Sequence, residues 1–140
     1  MKDIFVKGDE KSHLYTVKYQ DIAEFQKGVV HEVCATFTLA REIEWSSRLF
    51  AIDMKDNDEE GVGTMLEIKH ISPAFIDDEL SIVAKVDSIV KNELICSIVV
   101  KVGDRLIATG RTGQKIVKKS KMENLMKELK SRLLSIFLII

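Results

Sequence analysis

Only two cysteines occur in the 140 residues, Cys34 and Cys96. They lie far apart and form no Cys-x-x-Cys pattern, so the reading is two reduced, buried thiols in a cytoplasmic protein. Histidine is almost as scarce. His13, His31 and His70 show neither His-x-His nor His-x-x-x-His spacing, so no metal site is expected. An excess of one charge is missing as well. Formal net charge is -1 with 31% charged residues, which gives no electrostatic ground for nucleic-acid binding. No run reaches the roughly 18 apolar residues of a membrane span. The opening MKDIFVKGDEK lacks the apolar core of a secretory signal. No phosphate loop or Ser-His-Asp motif occurs, and GVGTM at 61–65 lacks the full spacing of a dinucleotide loop.

What is present is periodicity in a chain of single-domain length, with 46% apolar residues to build a core. Residues 13–19 alternate, with Tyr15, Val17 and Tyr19 on one face, and predict a first strand. Residues 20–35 carry no clear signal, and Gly28 breaks any long helix there. From Thr36 to Ile52, Phe37, Ala40, Ile43, Ser47 and Phe50 recur at spacings of three and four, widened by Leu39 and Leu49. That is a long amphipathic helix. DMKDNDEEG, 53–61, reads as a solvated loop.

Strands are predicted over 63–71, 80–90, 94–102 and 105–117, with turn signals at Lys91-Asn92 and Gly103-Asp104. Short turns make antiparallel neighbours, so these four read as a meander. Residues 119–138 predict a second helix whose final LSIFLII is apolar all round and should be covered. The sum is a two-layer α+β domain, a sheet wrapped on one long helix, with a C-terminal helix added.

Three side chains stand out against this frame. Alternation puts Leu66, Ile68 and His70 on one strand face, so an imidazole ends a face that should be buried. Thr36 opens the long helix, and Glu44 follows about 12 Å further along its axis. Each has an ordinary structural reading. Thr36 is an N-cap, Glu44 pairs with Arg41 or Arg48, or His70 is a core histidine held by a carbonyl.

Taken together the layout resembles the hotdog fold, and more closely the fluoroacetyl-CoA thioesterase-like family within it. That family has a Thr, Ser or Cys at the start of the central helix, a Glu eight residues on, and a His ending the next strand. A Gly stands seven residues before that His and a Pro follows it. Here the pattern falls on Thr36, Glu44, Gly63, His70 and Pro73, within a resemblance covering roughly 12–118. Two departures stand out. GRTGQ, 110–114, has Thr112 and Gln114 where members often carry His and Arg, and Arg41 and Glu42 are charged where the family is usually small or apolar.

The resemblance implies an acyl-CoA thioesterase of small or medium acyl chain. Thr36, Glu44 and His70 would be catalytic, and Gly63, Phe37 and Thr38 would line the substrate site. Coenzyme A enters as part of the substrate, with no separate cofactor, and the unit is a homodimer or a dimer of dimers. The backbone donors of the helix N-terminus would receive the acyl oxygen near Phe37 or Thr38. His70 would move the proton, Glu44 would orient it or activate water, and Thr36 would attack or hold the water. Lys115, Lys118, Lys119 and Lys121 either meet the CoA phosphates or form a solvated basic stretch. A rival expectation is a non-catalytic acyl-CoA or small-ligand binding protein on the same scaffold.

Overall fold

Period-two alternation carries most of the chain into one sheet. In the computed structural model, which describes residues 1–25 and 28–139, the strands are β1 (Glu10–Thr16), β2 (Ile22–Phe25), β3 (Gly28–Cys34), β4 (Glu59–His70), β5 (Glu79–Val90), β6 (Glu93–Val102) and β7 (Arg105–Lys118). Helix α1 is Thr36–Met54 and α2 is Lys119–Ile139. Five strands form one antiparallel sheet in the order β1-β5-β6-β7-β4, and β2 and β3 pair separately.

The two tight turns behave as predicted. Lys91 takes φ 57° between β5 and β6, and Gly103 takes φ 55° between β6 and β7, so these strands are hydrogen-bonded neighbours. The four-strand meander does not form. The connection from His70 to Glu79 is no tight turn and imposes no pairing. β5 therefore pairs with β1, while β4 lies along β7 at the opposite edge of the sheet. Among the described residues β4 pairs with β7 alone, and its other edge is open.

The first strand is also displaced from its predicted span. β1 begins at Glu10 and ends at Thr16. Val17 is buried just beyond it, and Tyr19 lies exposed in a 3-10 turn, Tyr19–Asp21. The stretch without a signal is the β2–β3 pair, with Gly28 at φ 107°. The acidic loop is shorter than predicted, because α1 runs on to a buried Met54 and β4 begins at a buried Glu59.

Helix α1 packs Leu39, Ile43, Phe50 and Met54 onto the alternating inward rows of the sheet. Those rows are Leu80, Ile82, Ala84 and Val86 of β5, and Leu94, Cys96, Ile98 and Val100 of β6. Each large side chain so buried contributes about 1.5–3 kcal/mol. Phe5 adds an edge-to-face contact on Phe50, with ring centroids 4.9 Å apart. The helix comes so close that a Cβ at Gly110 would sit 3.0 Å from Ile43 Cγ2. The buried face is rotated from the predicted stripe. Thr38, Glu42, Ser46 and Ser47 face inward, while Phe37 is 73% exposed.

Helix α2 leaves the end of β7 with its apolar face uncovered by this chain. Leu125, Leu129, Leu133 and Phe137 are all exposed, so the expected cover is not intramolecular. Among the described residues no helix is long and apolar enough to cross a membrane. Cys34 and Cys96 are free and buried, as predicted.

Candidate active site

The chain enters α1 under tight control. Cys34 N–H donates to the Ala74 carbonyl at 2.8 Å, and Ala35 N–H to the Asp21 carbonyl at 2.7 Å. Ala35 is the N-cap, in extended conformation, so Thr36 is the first helical residue and its hydroxyl caps nothing. That hydroxyl instead meets His70, with Oγ1 and Nδ1 3.0 Å apart.

His70 is held from behind. Ile71 and Ser72 N–H both donate to the Ile107 carbonyl, and the Ser72 hydroxyl donates to the Leu106 carbonyl. Arg105 donates to the Ser72 hydroxyl at 3.0 Å and to the Pro73 carbonyl. The loop after His70 is therefore fastened to the start of β7.

The face of His70 is as alternation predicts, but its burial is not. Leu66, Ile68 and His70 lie opposite Thr112, Gly110 and Ala108 of β7. Thr112 and Ala108 are wholly buried, yet Leu66 and His70 are exposed. The reason is position: β4 is the edge strand, and the helix covers the sheet only as far as β7 in this row.

Glu44 sits two turns along α1 and faces the other end of β4. A Cβ at Gly63 would fall 2.7 Å from Glu44 Oε1, so any larger residue would push this carboxylate from its present position. The surface-pair reading of Glu44 does not hold. Arg48 donates to the Gly61 carbonyl, and Arg41 to Glu42 at 3.0 Å and to Tyr15 at 3.1 Å. Within one chain the structure thus joins Thr36 to His70, and Glu44 to Gly63, but not the two pairs to each other. The single pocket expected between them is two open hollows of about 260 Å³ each. One is bordered by His70 and Pro73, the other by Glu44, Gly63 and Leu66.

Phe37 and Thr38 border a different hollow, of about 390 Å³, with Asp21 and Arg41. The Thr38 side chain is buried, its hydroxyl donates to the Asp21 carbonyl, and its N–H returns to the Ala35 carbonyl at 3.1 Å. Lys118 is engaged with Asp58 at 2.9 Å, while Lys115, Lys119 and Lys121 are exposed.

Two groups of polar residues take partners or burial that the sequence did not predict. The first gives the charged helix residues their partners. Tyr15 donates to Asp21 at 2.6 Å, Arg41 bridges Tyr15 and Glu42, and His13 lies 3.7 Å from Glu42. Burial, then the bond to Asp21, raises the Tyr15 phenol above its usual range. The shared face of His13 and Tyr15 on β1 was the available signal. The second group is Thr112 and Gln114, wholly buried on the helix-facing side of β7. Polar type hid them.

The acidic residues Asp56, Asp58 and Glu59 lie within metal-ligating distance of one another. Their charge is already met by the chain's own cations. The Met1 ammonium bonds Asp56 at 2.6 Å and Glu59 at 2.8 Å, and Lys118 bonds Asp58. These bonds hold all three carboxyls below their ordinary values. The two thiols are inert for the opposite reason, since burial pushes Cys34 up to about 11 and Cys96 to about 12.

Comparison with known proteins follows this geometry. Residues 17–120 match the family model of the fluoroacetyl-CoA-specific thioesterase. No protein of curated function matches in sequence. Among solved structures, a Thermus thermophilus hypothetical protein described as a thioesterase superfamily member is 27% identical, with a TM-score of 0.88 over 95% of this chain and 98% of that one. The fluoroacetyl-CoA thioesterase FlK is 18% identical, with a TM-score of 0.79 over 90% of this chain and 98% of its own. A hot-dog-like protein from Thermanaerovibrio acidaminovorans is 17% identical, with a TM-score of 0.81 over 89% and 92%. The chain belongs to the fluoroacetyl-CoA-specific thioesterase family and is a hotdog-fold thioester hydrolase.

Proposed function

We propose that this protein hydrolyses a small or medium acyl-CoA with Thr36 and His70 as the reacting pair and Glu44 as their acidic partner. The observation that carries the reading is the 3.0 Å contact between Thr36 Oγ1 and His70 Nδ1, at a helix N-terminus and open to solvent. A threonine hydroxyl is a weak nucleophile unless a base adjoins it, and here one does. With Nδ1 unprotonated, His70 takes the hydroxyl proton as Oγ1 bonds to the acyl carbon. The C–S bond then breaks and the thiolate leaves with that proton. Water, deprotonated by His70, next cleaves the Thr36 ester and restores both groups. The positive end of the α1 dipole favours the oxyanion at each stage. The CoA portion has support in a relative, since a variant of FlK is described in complex with fluoroacetate and CoA.

Glu44 reaches such a site through a second copy. Antiparallel pairing of two open β4 edges about Leu66 would bring Glu44 of the partner subunit toward Thr36 and His70. It would also join the two hollows into one pocket. A homodimer is thus part of the proposal.

Thiol release from acyl-CoAs, running from acetyl and haloacetyl to long-chain and aromatic, tests the reaction. The expected result is turnover of the shorter group with an initial burst of thiol. Saturable binding with no release across the panel would overturn the reading in favour of a binding protein. Mixing tests the shared site. Thr36→Ala and Glu44→Gln chains, each inactive alone, should regain roughly a quarter of wild-type turnover once their subunits exchange. No recovery from mixed dimers would place all three residues in one chain.

A further inference from the structure

Gln114 is fully buried, at 0% exposure, and neither atom of its amide has a hydrogen-bond partner among the described residues. A buried, unpaired amide costs on the order of 1–3 kcal/mol, so its retention calls for a reason. Its surroundings supply one. Gln114 lies directly across from Gly63 in the β4–β7 register. Seen from the Cβ position that Gly63 leaves empty, Gln114 Nε2 is 3.8 Å away and Glu44 Oε1 is 2.7 Å away. The amide turns its other end, Oε1, toward Gly61. A donor thus faces a group that can only accept.

The Thr112 hydroxyl, two residues before Gln114 on β7, is likewise without a partner among the described residues, while the other polar groups nearby are occupied. The Ser46 and Ser47 hydroxyls donate back to the Ile43 and Glu44 carbonyls. The charged residues facing Glu44 from its own helix, Arg41 and Arg48, are bonded elsewhere. The helix-facing positions of β4 and β7 beside it are Gly61, Gly63, Leu66, Thr112, Gln114 and Ile116, none of them charged.

We infer that Gln114 is a positioning residue for Glu44, its Nε2–H donating to the carboxylate across the gap left by Gly63. Rotation of either side chain closes the remaining distance. The glycine and the glutamine form one device: the first admits the carboxylate, the second fixes its direction. This rests on the proposed role of Glu44, but its test need not.

The carboxyl carbon of Glu44, assigned by its loss in Glu44→Gln, is titrated by ¹³C NMR in the wild type and in Gln114→Leu. A carboxylate deprived of a donor takes up a proton more readily, so its midpoint should rise. In Gln114→Glu it should rise further, since a second carboxylate then stands beside it. That variant serves should Gln114→Leu fail to fold. In turnover, Gln114→Leu should lower kcat about tenfold with KM within about threefold, and the acidic limb of the kcat profile should move up with the midpoint. Unchanged midpoints in both variants would overturn the inference and leave Gln114 a packing residue. Full turnover in Glu44→Gln would sink the catalytic role of Glu44, while a shifted midpoint would still establish the contact.

Discussion

At the His70 end of the seam between α1 and β4, two polar groups satisfy each other in full view of solvent. At the Gly63 end, Thr112 and Gln114 are packed away from solvent with no partner among the described residues. The first arrangement adds little stability, since an exposed hydrogen bond competes with water. The second costs stability outright. A fold that tolerates both along one strand has been shaped by something other than packing. In the proposed reading one end serves access and proton movement, and the other holds a carboxylate.

Substitutions can separate the ends. The largest effect belongs to His70→Ala. Thiol release should fall by about 10²–10⁴ while the thermal melt stays put, because His70 is exposed and carries no core contact. Full turnover in this variant would erase the distinction between the ends. Next is Gly63→Ala, whose methyl would stand 2.7 Å from Glu44 Oε1 and push the carboxylate aside. We expect kcat to drop roughly ten- to a hundredfold, with the Thr36–His70 contact intact. Undiminished turnover would show that the direction of Glu44 is immaterial.

A smaller effect is on stability. Gln114→Leu removes the amide inferred to donate to Glu44 and should lower unfolding stability by about 1 kcal/mol, read by urea titration. A gain in stability instead would mean that the amide stands unpaired in solution as well.

The smallest effect samples both ends at once. Cys34 precedes the Thr36 turn, and Cys96 lies across from Thr112. Burial raises these thiols to about 11 and about 12, whereas in an unfolded chain they ionise near 9.0. Above pH 9 the unfolded state sheds protons that the folded state keeps. Stability should therefore decline as pH climbs from 9 toward 11, and less steeply in a Cys34→Ala, Cys96→Ala chain. Equal slopes would mean that the thiols ionise alike in both states.

Local signals were read well and remote ones poorly. The spacing of Thr36, Glu44, Gly63 and His70 is a property of one helix and one strand, and it survives into the structure. Lys91-Asn92 and Gly103-Asp104 fix neighbours because a tight turn leaves no choice. Nothing in HISPAFIDDE says that β4 ends beside β7, since a longer loop sets no register. The rotation of the buried face of α1 was hidden for a different reason. Glu42 and Ser46 lie off the predicted stripe until Arg41, His13 and the Ile43 carbonyl supply their partners. The burial of Gln114 was hidden on the same ground.

The open edge of β4 has a consequence for handling the protein. A twelve-residue strand with an unpaired row of N–H and C=O groups is a template for any other extended chain. A partner of matched register would retire that edge, and until one does, the strand invites aggregation. Charged Glu60, Glu67 and Lys69 along the same strand act as gatekeepers against it. Substitutions that neutralise them should be judged by solubility before any loss of activity is blamed on chemistry.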